Sequence, residues 1–182
     1  MSPQHRPAPS DPAPAGEDRG LAPVQALARR VTAALQAAGH SVATAESLTA
    51  GRLAAALADA PGAGEVFLGG VVAYTAAVKS ELLHVDEDLL ADQGAVHPEV
   101  AAQMAEGVRA LTHATYGLAT TGAAGPAPHD GRPVGTVHIA AAGPLATRTA
   151  QPRPPTTSPE DIRAATVEAA LRLLQDLLRP PP

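Results

Sequence analysis

Cysteine, asparagine and tryptophan are absent from the 182 residues, and only two tyrosines and one phenylalanine occur. Without cysteine the chain can form no disulfide framework, carry no thiol nucleophile and bind no metal through thiolates. The seven histidines are scattered, and no two lie at ligand spacing on one helix, so we expect no zinc site and no other metal. These absences exclude whole classes of crosslink and catalytic centre.

Strong charge of one sign is also missing, because the formal net charge is −5 with acidic and basic residues mixed along the chain. Such a chain has no long-range positive field, and we expect no nucleic-acid partner. No window reaches the roughly 18 apolar residues of a membrane span, and the first twenty residues do not resemble a signal peptide. We therefore expect a soluble, cytoplasmic protein that does not bind membranes.

The length and a hydrophobic content of 45% fit one domain with one core. Residues 1–20 are rich in proline and polar groups and lack a periodic apolar pattern, which predicts a disordered tail. Residues 21–180 then form the folded domain.

Apolar residues at helical spacing predict helices over 23–38, 76–83, 87–93 and 98–113, a helix between Gly51 and Pro61, and a last helix after Ser158. Extended segments are predicted at 41–45, 66–74, 115–121 and 133–142, with a weaker one at 145–151. This alternation predicts a single three-layer α/β/α domain with a mostly parallel central sheet. Such sheets bind ligands beyond their strand ends, which directs attention to the loops after Ala45, Tyr74 and Thr121.

Lysine is nearly absent, since the thirteen basic residues are twelve arginines and Lys79. Arginine keeps its proton at physiological pH, whereas a desolvated lysine can lose it and act as a base. Lys79 follows Tyr74, at a predicted strand end, by five residues, so both could face one pocket. The alternative is that a single lysine survived by chance on a solvated helix face.

Residues 45–51 (AESLTAG) place a hydroxyl and small residues at the start of a helix, where free N–H groups and the helix dipole favour an anion. Ser47, Thr49 and Gly51 are candidates for contacting a phosphate or an oxyanion. The alternative is that Ser47 or Thr49 only caps the helix. Glu46 could orient Ser47, as a nucleophile, or Lys79, although compensation of the helix dipole is the simpler interpretation. The segment matches neither the P-loop nor the Gly-x-Ser-x-Gly pattern.

A second glycine-rich loop, residues 120–126 (TTGAAGP), follows a predicted strand. Thr121, Gly122 and Gly125 could present main-chain N–H groups to an anion, as such loops do. Arg132 could add a bidentate cation.

Four further motifs accompany residues 45–51 and 121–126 along the chain: 69–74 (GGVVAY) followed by Lys79, 94–96 (GAV), 104–107 (MAEG) and 133–137 (PVGTV). The order and spacing of all six are informative. In this combination the sequence resembles the CinA C-terminal domain family over about residues 22–179. The resemblance implies a nicotinamide-nucleotide amidase, which converts nicotinamide mononucleotide to nicotinate mononucleotide and ammonia. It maps the nucleophile to Ser47 and its partners to Tyr74 and Lys79, and it implies no metal or organic cofactor.

The resemblance also implies the stand-alone form of the family, without the molybdopterin-binding-like domain of larger members. Ala50 and His84 occupy positions where the family usually has glycine, and residues 127–130 (APHD) replace its usual Asp-Gly-Gly. His97 stands where a small polar or acidic residue is usual, and we interpret it as a helix cap rather than a catalytic group.

The resulting hypothesis is that Lys79, neutralised by burial and assisted by Tyr74, accepts the Ser47 proton during attack on the carboxamide. One alternative is a non-catalytic nucleotide-binding or interaction module linked to competence or DNA-damage responses. Another is hydrolysis of a different amide, because no residue identifies the pyridine ring. A homodimer is expected from the frequency of such assemblies alone.

Overall fold

A computed structural model describes residues 23–155 and 158–179 of the chain. The predicted tail, residues 1–20, lies outside the described residues. Strands and helices follow one another in the order α1 (Pro23–Ala38), β1 (Val42–Glu46), α2 (Arg52–Ala58), α3 (Ala63–Val66), β2 (Phe67–Val72), α4 (Ala76–Leu83), α5 (Glu87–Gln93), α6 (Pro98–Thr112), β3 (Tyr116–Gly122), β4 (Val137–Ala142), β5 (Thr147–Ala150) and α7 (Pro159–Leu178).

The five strands form one mixed sheet in the order β2-β1-β3-β4-β5. β1 pairs in parallel with both β2 and β3, whereas β4 and β5 are antiparallel additions. The change of direction has a simple cause: residues 123–136, between β3 and β4, contain no helix to carry the chain back across the sheet. The predicted α/β class is confirmed, and the parallel part of the sheet is its β2-β1-β3 side.

Helices cover both faces of the sheet. One hydrophobic cluster packs α1, α2 and α7 against the sheet, and a second packs α4 and α6 against the other face. β1 is buried along its whole length, and its residues alternate between the two clusters, as the pleat requires: Val42 belongs to the first, and Ala43 and Ala45 to the second. The sheet is therefore the middle of three layers.

Several predicted element boundaries are confirmed, including those of α1, α4 and α5. His97 is the N-cap of α6, and its side chain accepts a hydrogen bond from the Glu99 N–H, as the sequence suggested. The strand predicted over 133–142 begins only at Val137, because residues 133–136 form a turn in which the Thr136 N–H bonds to the Pro133 carbonyl. Helix α3 was not predicted.

Among the described residues, four that are not glycine lie in the left-handed backbone region that glycine usually occupies: Ala50, His84, His113 and Asp130. Ala50 has φ 50°, in the turn that leads into α2, and His84 has φ 56° at the C-cap of α4. Left-handed backbone costs an L-residue about 1–2 kcal/mol relative to glycine. The backbone is therefore locally strained at Ala50 and at His84.

Among the described residues no helix is both long enough and apolar enough to cross a lipid bilayer.

Candidate active site

The register of the parallel strands brings two chain segments together at the carboxyl edge of the sheet. Glu46, the last residue of β1, lies opposite Val72 of β2 and Thr120 of β3. Main-chain hydrogen bonds continue past the strand end: the Ala73 N–H donates to the Glu46 carbonyl at 2.8 Å, and the Ser47 N–H donates to the Thr120 carbonyl at 3.0 Å. Ser47 is therefore held between the ends of β2 and β3.

Lys79 reaches this edge from α4, the first turn of which is fixed by the Thr75 side chain accepting from the Val78 N–H. The lysine is 0% exposed, and its Nζ lies 3.1 Å from Ser47 Oγ. The amine also contacts two main-chain carbonyls, that of Ala73 at 2.8 Å and that of Tyr74 at 3.4 Å. The only lysine of the chain is thus buried against the proposed nucleophile.

Burial lowers the pKa of Lys79 from 10.5 to about 8, because the charged ammonium is desolvated, while the negative charge of Asp130 acts in the opposite direction. A neutral amine has two N–H donors and one lone pair. The two carbonyls take the donors, and the lone pair is left for the Ser47 hydroxyl proton. The same three contacts also suit the ammonium form, which donates to both carbonyls and to Ser47 Oγ, so the geometry fits the lysine in both protonation states.

Tyr74 lines the same recess as Ser47 but is 65% exposed. It contacts Lys79 through its main-chain carbonyl, and within the described chain its phenol makes no hydrogen bond. The phenol is thus placed on the wall of the site, facing solvent, and its chemical role stays a prediction.

Glu46 is buried and points away from the recess, towards α2. Its carboxylate accepts hydrogen bonds from the N–H groups of Gly51 at 3.0 Å, Leu53 at 3.0 Å and Ala54 at 2.8 Å. This is compensation of the helix N-terminus by a fixed negative charge. The amides that could have received an anion, including that of Gly51, are therefore already bonded within the protein.

Thr49 and Thr121, which were predicted to contact the substrate, are buried and stabilise the site through hydrogen bonds. Thr49 shares a 2.7 Å hydrogen bond between hydroxyls with Thr120, and this bond joins the turn after β1 to β3. Thr121 donates its hydroxyl to the Ala95 carbonyl at 2.7 Å, which joins β3 to the connection between α5 and α6. Neither residue lines the recess beside Ser47.

The glycine-rich loop after β3 does line that recess. Gly122 has φ 158°, and a Cβ there would lie 2.6 Å from the Thr136 carbonyl oxygen, so only glycine fits. Gly125 has φ 88° and is followed by a cis bond to Pro126. Among the residues that the structure describes, the lining comprises Ser47, Leu48, Tyr74, Gly122, Ala123, Ala124, Gly125, Ala127, His129 and Arg163.

The arginine in the recess is Arg163 of α7, not Arg132. Arg163 donates from Nε to the Leu48 carbonyl at 2.9 Å, and its terminal nitrogens make no hydrogen bond within the described chain. Arg132 is exposed on the hairpin that follows the glycine-rich loop. Nothing in the local sequence marks Arg163, because its contact with Leu48 joins positions 115 residues apart.

No three or more histidine, aspartate or glutamate side chains are grouped to hold a metal ion in the part of the chain that the structure describes. The site offers a hydroxyl, an amine, a phenol, an imidazole, a guanidinium and main-chain amides.

Comparison with known proteins gives a consistent result. The family described as the CinA C-terminal domain matches residues 24–178. A CinA-like protein of Frankia casuarinae is 51% identical over 138 residues, which is 76% of this chain and 32% of that protein. A putative competence-damage inducible protein of Desulforamulus reducens is 45% identical over 142 residues, 78% of this chain and 34% of that protein. The chain thus spans about a third of the length of these relatives.

Solved structures match over nearly their full length. The competence/damage inducible protein CihA from Agrobacterium tumefaciens superposes with a TM-score of 0.84 and 35% identity, covering 87% of this chain and 98% of that one. A competence-damaged protein (CinA) superfamily protein from Escherichia coli gives a TM-score of 0.81 and 33% identity, covering 85% and 90%.

Proposed function

The chain belongs to the CinA C-terminal domain family, and on that premise we propose that it is an amidase that hydrolyses nicotinamide mononucleotide to nicotinate mononucleotide and ammonia. The names of the relatives described above specify no reaction. The proposal combines the resemblance noted in the sequence with the chemistry of the site.

The observation that carries the proposal is the 3.1 Å contact between Ser47 Oγ, on the wall of the recess, and the Nζ of the fully buried Lys79. Serine is a weak nucleophile until a neighbouring base removes its proton. A lysine with a pKa near 8 is neutral in a useful fraction of molecules at physiological pH. A buried Ser–Lys pair of this kind favours acyl transfer over simple binding.

The reaction begins when the Ser47 proton moves to Lys79 Nζ as Oγ bonds to the carboxamide carbon, which forms a tetrahedral oxyanion. Collapse of this intermediate breaks the C–N bond, and the Lys79 ammonium gives its proton to the departing amine, which leaves as ammonia. Water then attacks the Ser47 ester while Lys79 takes the water proton. Breaking the C–Oγ bond returns that proton to Ser47 and releases the carboxylic acid, which then loses its remaining proton to solvent and becomes the carboxylate.

Main-chain amides around the recess are suited to hold the oxyanion. Leu48 directly follows the nucleophile and lines the recess, which is the usual position of an oxyanion donor in serine hydrolases. The loop from Gly122 to Gly125 forms the opposite wall. We assign the substrate phosphate to Arg163, since the terminal nitrogens of its guanidinium lie free for a bidentate contact.

The remaining predicted residues fall into two groups. Tyr74 stands at the mouth, where its phenol is free to contact the substrate or to assist the proton transfers. Glu46 and Thr49 hold the turn that carries Ser47. We propose supporting roles for this second group rather than direct contact with the nucleotide.

Measuring loss of nicotinamide mononucleotide and release of ammonia by the purified protein tests the proposal. Ser47→Ala and Lys79→Arg should each reduce the rate by on the order of 10³-fold or more. Ser80→Ala is the matched control, because within the described part of the chain the Ser80 hydroxyl bonds to the Ala77 carbonyl of its own helix and to no other group. Full turnover by Lys79→Arg would contradict the base assignment.

The same experiment separates the competing functions. Binding of the mononucleotide with no ammonia from any of a panel of amides would indicate a non-catalytic binding module. Ammonia from another amide, with none from nicotinamide mononucleotide, would retain the mechanism and replace the substrate.

A further inference from the structure

The loop after the glycine-rich segment ends in a two-residue hairpin. The His129 N–H donates to the Arg132 carbonyl at 3.1 Å, and the Arg132 N–H donates to the His129 carbonyl at 2.8 Å. Between them, Asp130 has φ 48° and Gly131 has φ 67°, the pattern of a type I′ turn, for which Asp-Gly is a favoured pair. The turn places the Asp130 carboxylate at the tip of the hairpin.

The carboxylate is fixed on a neighbouring segment. Asp130 Oδ2 accepts a 2.6 Å hydrogen bond from the Ala95 N–H, in the connection between α5 and α6. The Ala95 carbonyl is held in turn by the Thr121 hydroxyl. Gly94 completes the fit, because a Cβ there would lie 2.8 Å from Asp130 Cβ. The Asp130 carboxylate therefore anchors the tip of the hairpin to the connection between α5 and α6.

The position of the hairpin affects the shape of the recess beside Ser47. Ala127 and His129, on the segment that leads into the hairpin, form part of its wall. His129 Nε2 lies 3.8 Å from Asp130 Oδ1. Asp130 is also the carboxylate whose charge acts on Lys79, while the carboxylate of Glu46 is occupied with the amides of α2.

We propose that Asp130 is a positioning residue of the amidase site, which holds the wall formed by Ala127 and His129 in place through the Ala95 amide. The inference rests on the proposed function for its kinetic consequences. It acts through other residues and requires no contact between Asp130 and the substrate.

Two substitutions separate the hydrogen bond that Asp130 accepts from the charge that it carries, and neither strains the turn. Asp130→Asn keeps a carbonyl acceptor for the Ala95 N–H, removes the charge and suits the left-handed backbone. Asp130→Gly removes both the acceptor and the charge and is also unstrained at φ 48°. Asp86→Asn is the matched control, because Asp86 caps α5 through the N–H groups of Asp88 and Leu89 and does not line the recess.

The first measurement uses the fact that Lys79 is the only lysine. Selective ¹³Cε-lysine labelling gives a single side-chain resonance, and its pH titration reports the Lys79 midpoint without any substrate. We expect both Asp130 variants to titrate lower than the wild type, on the order of half a pH unit. Asp86→Asn should titrate with the wild type.

The second measurement is hydrogen exchange at the Ala95 amide, which also needs no substrate. Exchange should accelerate at least about tenfold in Asp130→Gly and stay near the wild-type rate in Asp130→Asn. If nicotinamide mononucleotide is turned over, KM should rise roughly tenfold in Asp130→Gly, whereas Asp130→Asn should mainly move the pH profile.

Unchanged Ala95 exchange in Asp130→Gly would overturn the proposal. Failure of the proposed function has a different signature: no ammonia from wild-type protein, with the lysine titration and the exchange rates still responding to Asp130 as expected.

Discussion

The difference in unfolding free energy between Lys79→Met and the wild type should favour the variant more at neutral pH than at alkaline pH. The unfolded chain binds the lysine proton with a pKa near 10.5, whereas the folded protein binds it with a pKa of about 8. Between these values the unfolded state holds more protons, so the wild-type free energy of unfolding rises with pH over this window. Below pH 8 the full cost of burying the ammonium is present.

The size of the effect follows from the shift. A difference of 2.5 units between 10.5 and about 8 corresponds to about 3.4 kcal/mol at the acidic limit. At pH 7 nearly all of this cost applies, and at pH 9.5 about 1.4 kcal/mol remains, so the wild type should gain about 2 kcal/mol over this interval. Methionine has a length similar to that of lysine and carries no charge. The variant also loses the hydrogen bond from Lys79 Nζ to the Ala73 carbonyl, and this loss changes its unfolding free energy by the same amount at both pH values.

The assay is urea unfolding of the wild type and Lys79→Met at pH 7 and pH 9.5. The quantity compared is the difference in unfolding free energy between the two proteins, because the other ionisable groups contribute equally to both and cancel. We expect this difference to move by about 2 kcal/mol in favour of the wild type as the pH rises. A constant difference would mean that Lys79 keeps its ordinary pKa in the folded protein, and the reasoning about the base would be refuted.

Three further outcomes are expected. Below pH 8, kcat/KM should rise about tenfold per pH unit and then level off, because the base must be neutral; a rate that falls with rising pH in steady-state measurements would contradict this. Arg163→Gln should raise KM for the mononucleotide roughly tenfold or more, while Arg132→Gln stays within about twofold, and equal effects would contradict the phosphate assignment. Ala50→Gly and His84→Gly should each stabilise the protein by roughly 0.5–1 kcal/mol in urea unfolding, and destabilisation by both would show that their backbone is not strained.

Much of the fold was predictable because it is encoded locally. The periodic apolar residues of α1 and the capping residue Ser158 ahead of α7 mark those helices without reference to the rest of the chain. The direction of β4 was harder to foresee, because it depends on whether a helix fits between two strands. The sequence directed attention to the ends of β1 and β2, where the structure has a recess beside Ser47, since parallel strands bring their carboxyl ends to one edge.

What the sequence did not reveal depends on contacts between distant segments. The side chains of Glu46 and Ser47 are adjacent in the chain, yet one points into α2 and the other into the recess. Arg163 reaches Leu48 only because α7 packs on the same face of the sheet as α2. The Asp-Gly pair at 130–131 is a hairpin signal visible in the sequence, but its bond to Ala95 joins positions 35 residues apart.

The strand register also explains why a lysine, and not an arginine, occupies position 79. Pairing of Glu46 with Val72 sets the Ala73 carbonyl beside Ser47, and α4 then returns the side chain six residues later onto that carbonyl. The resulting space is sealed, since Lys79 is 0% exposed, and its donors face two carbonyls and one hydroxyl. A guanidinium has five donors, no lone pair to accept a proton and a pKa too high to lose one. Arginine there would leave donors buried without partners and would keep a charge next to the nucleophile, so a chain that otherwise uses only arginine as its cationic residue has its one lysine at the position that requires a base.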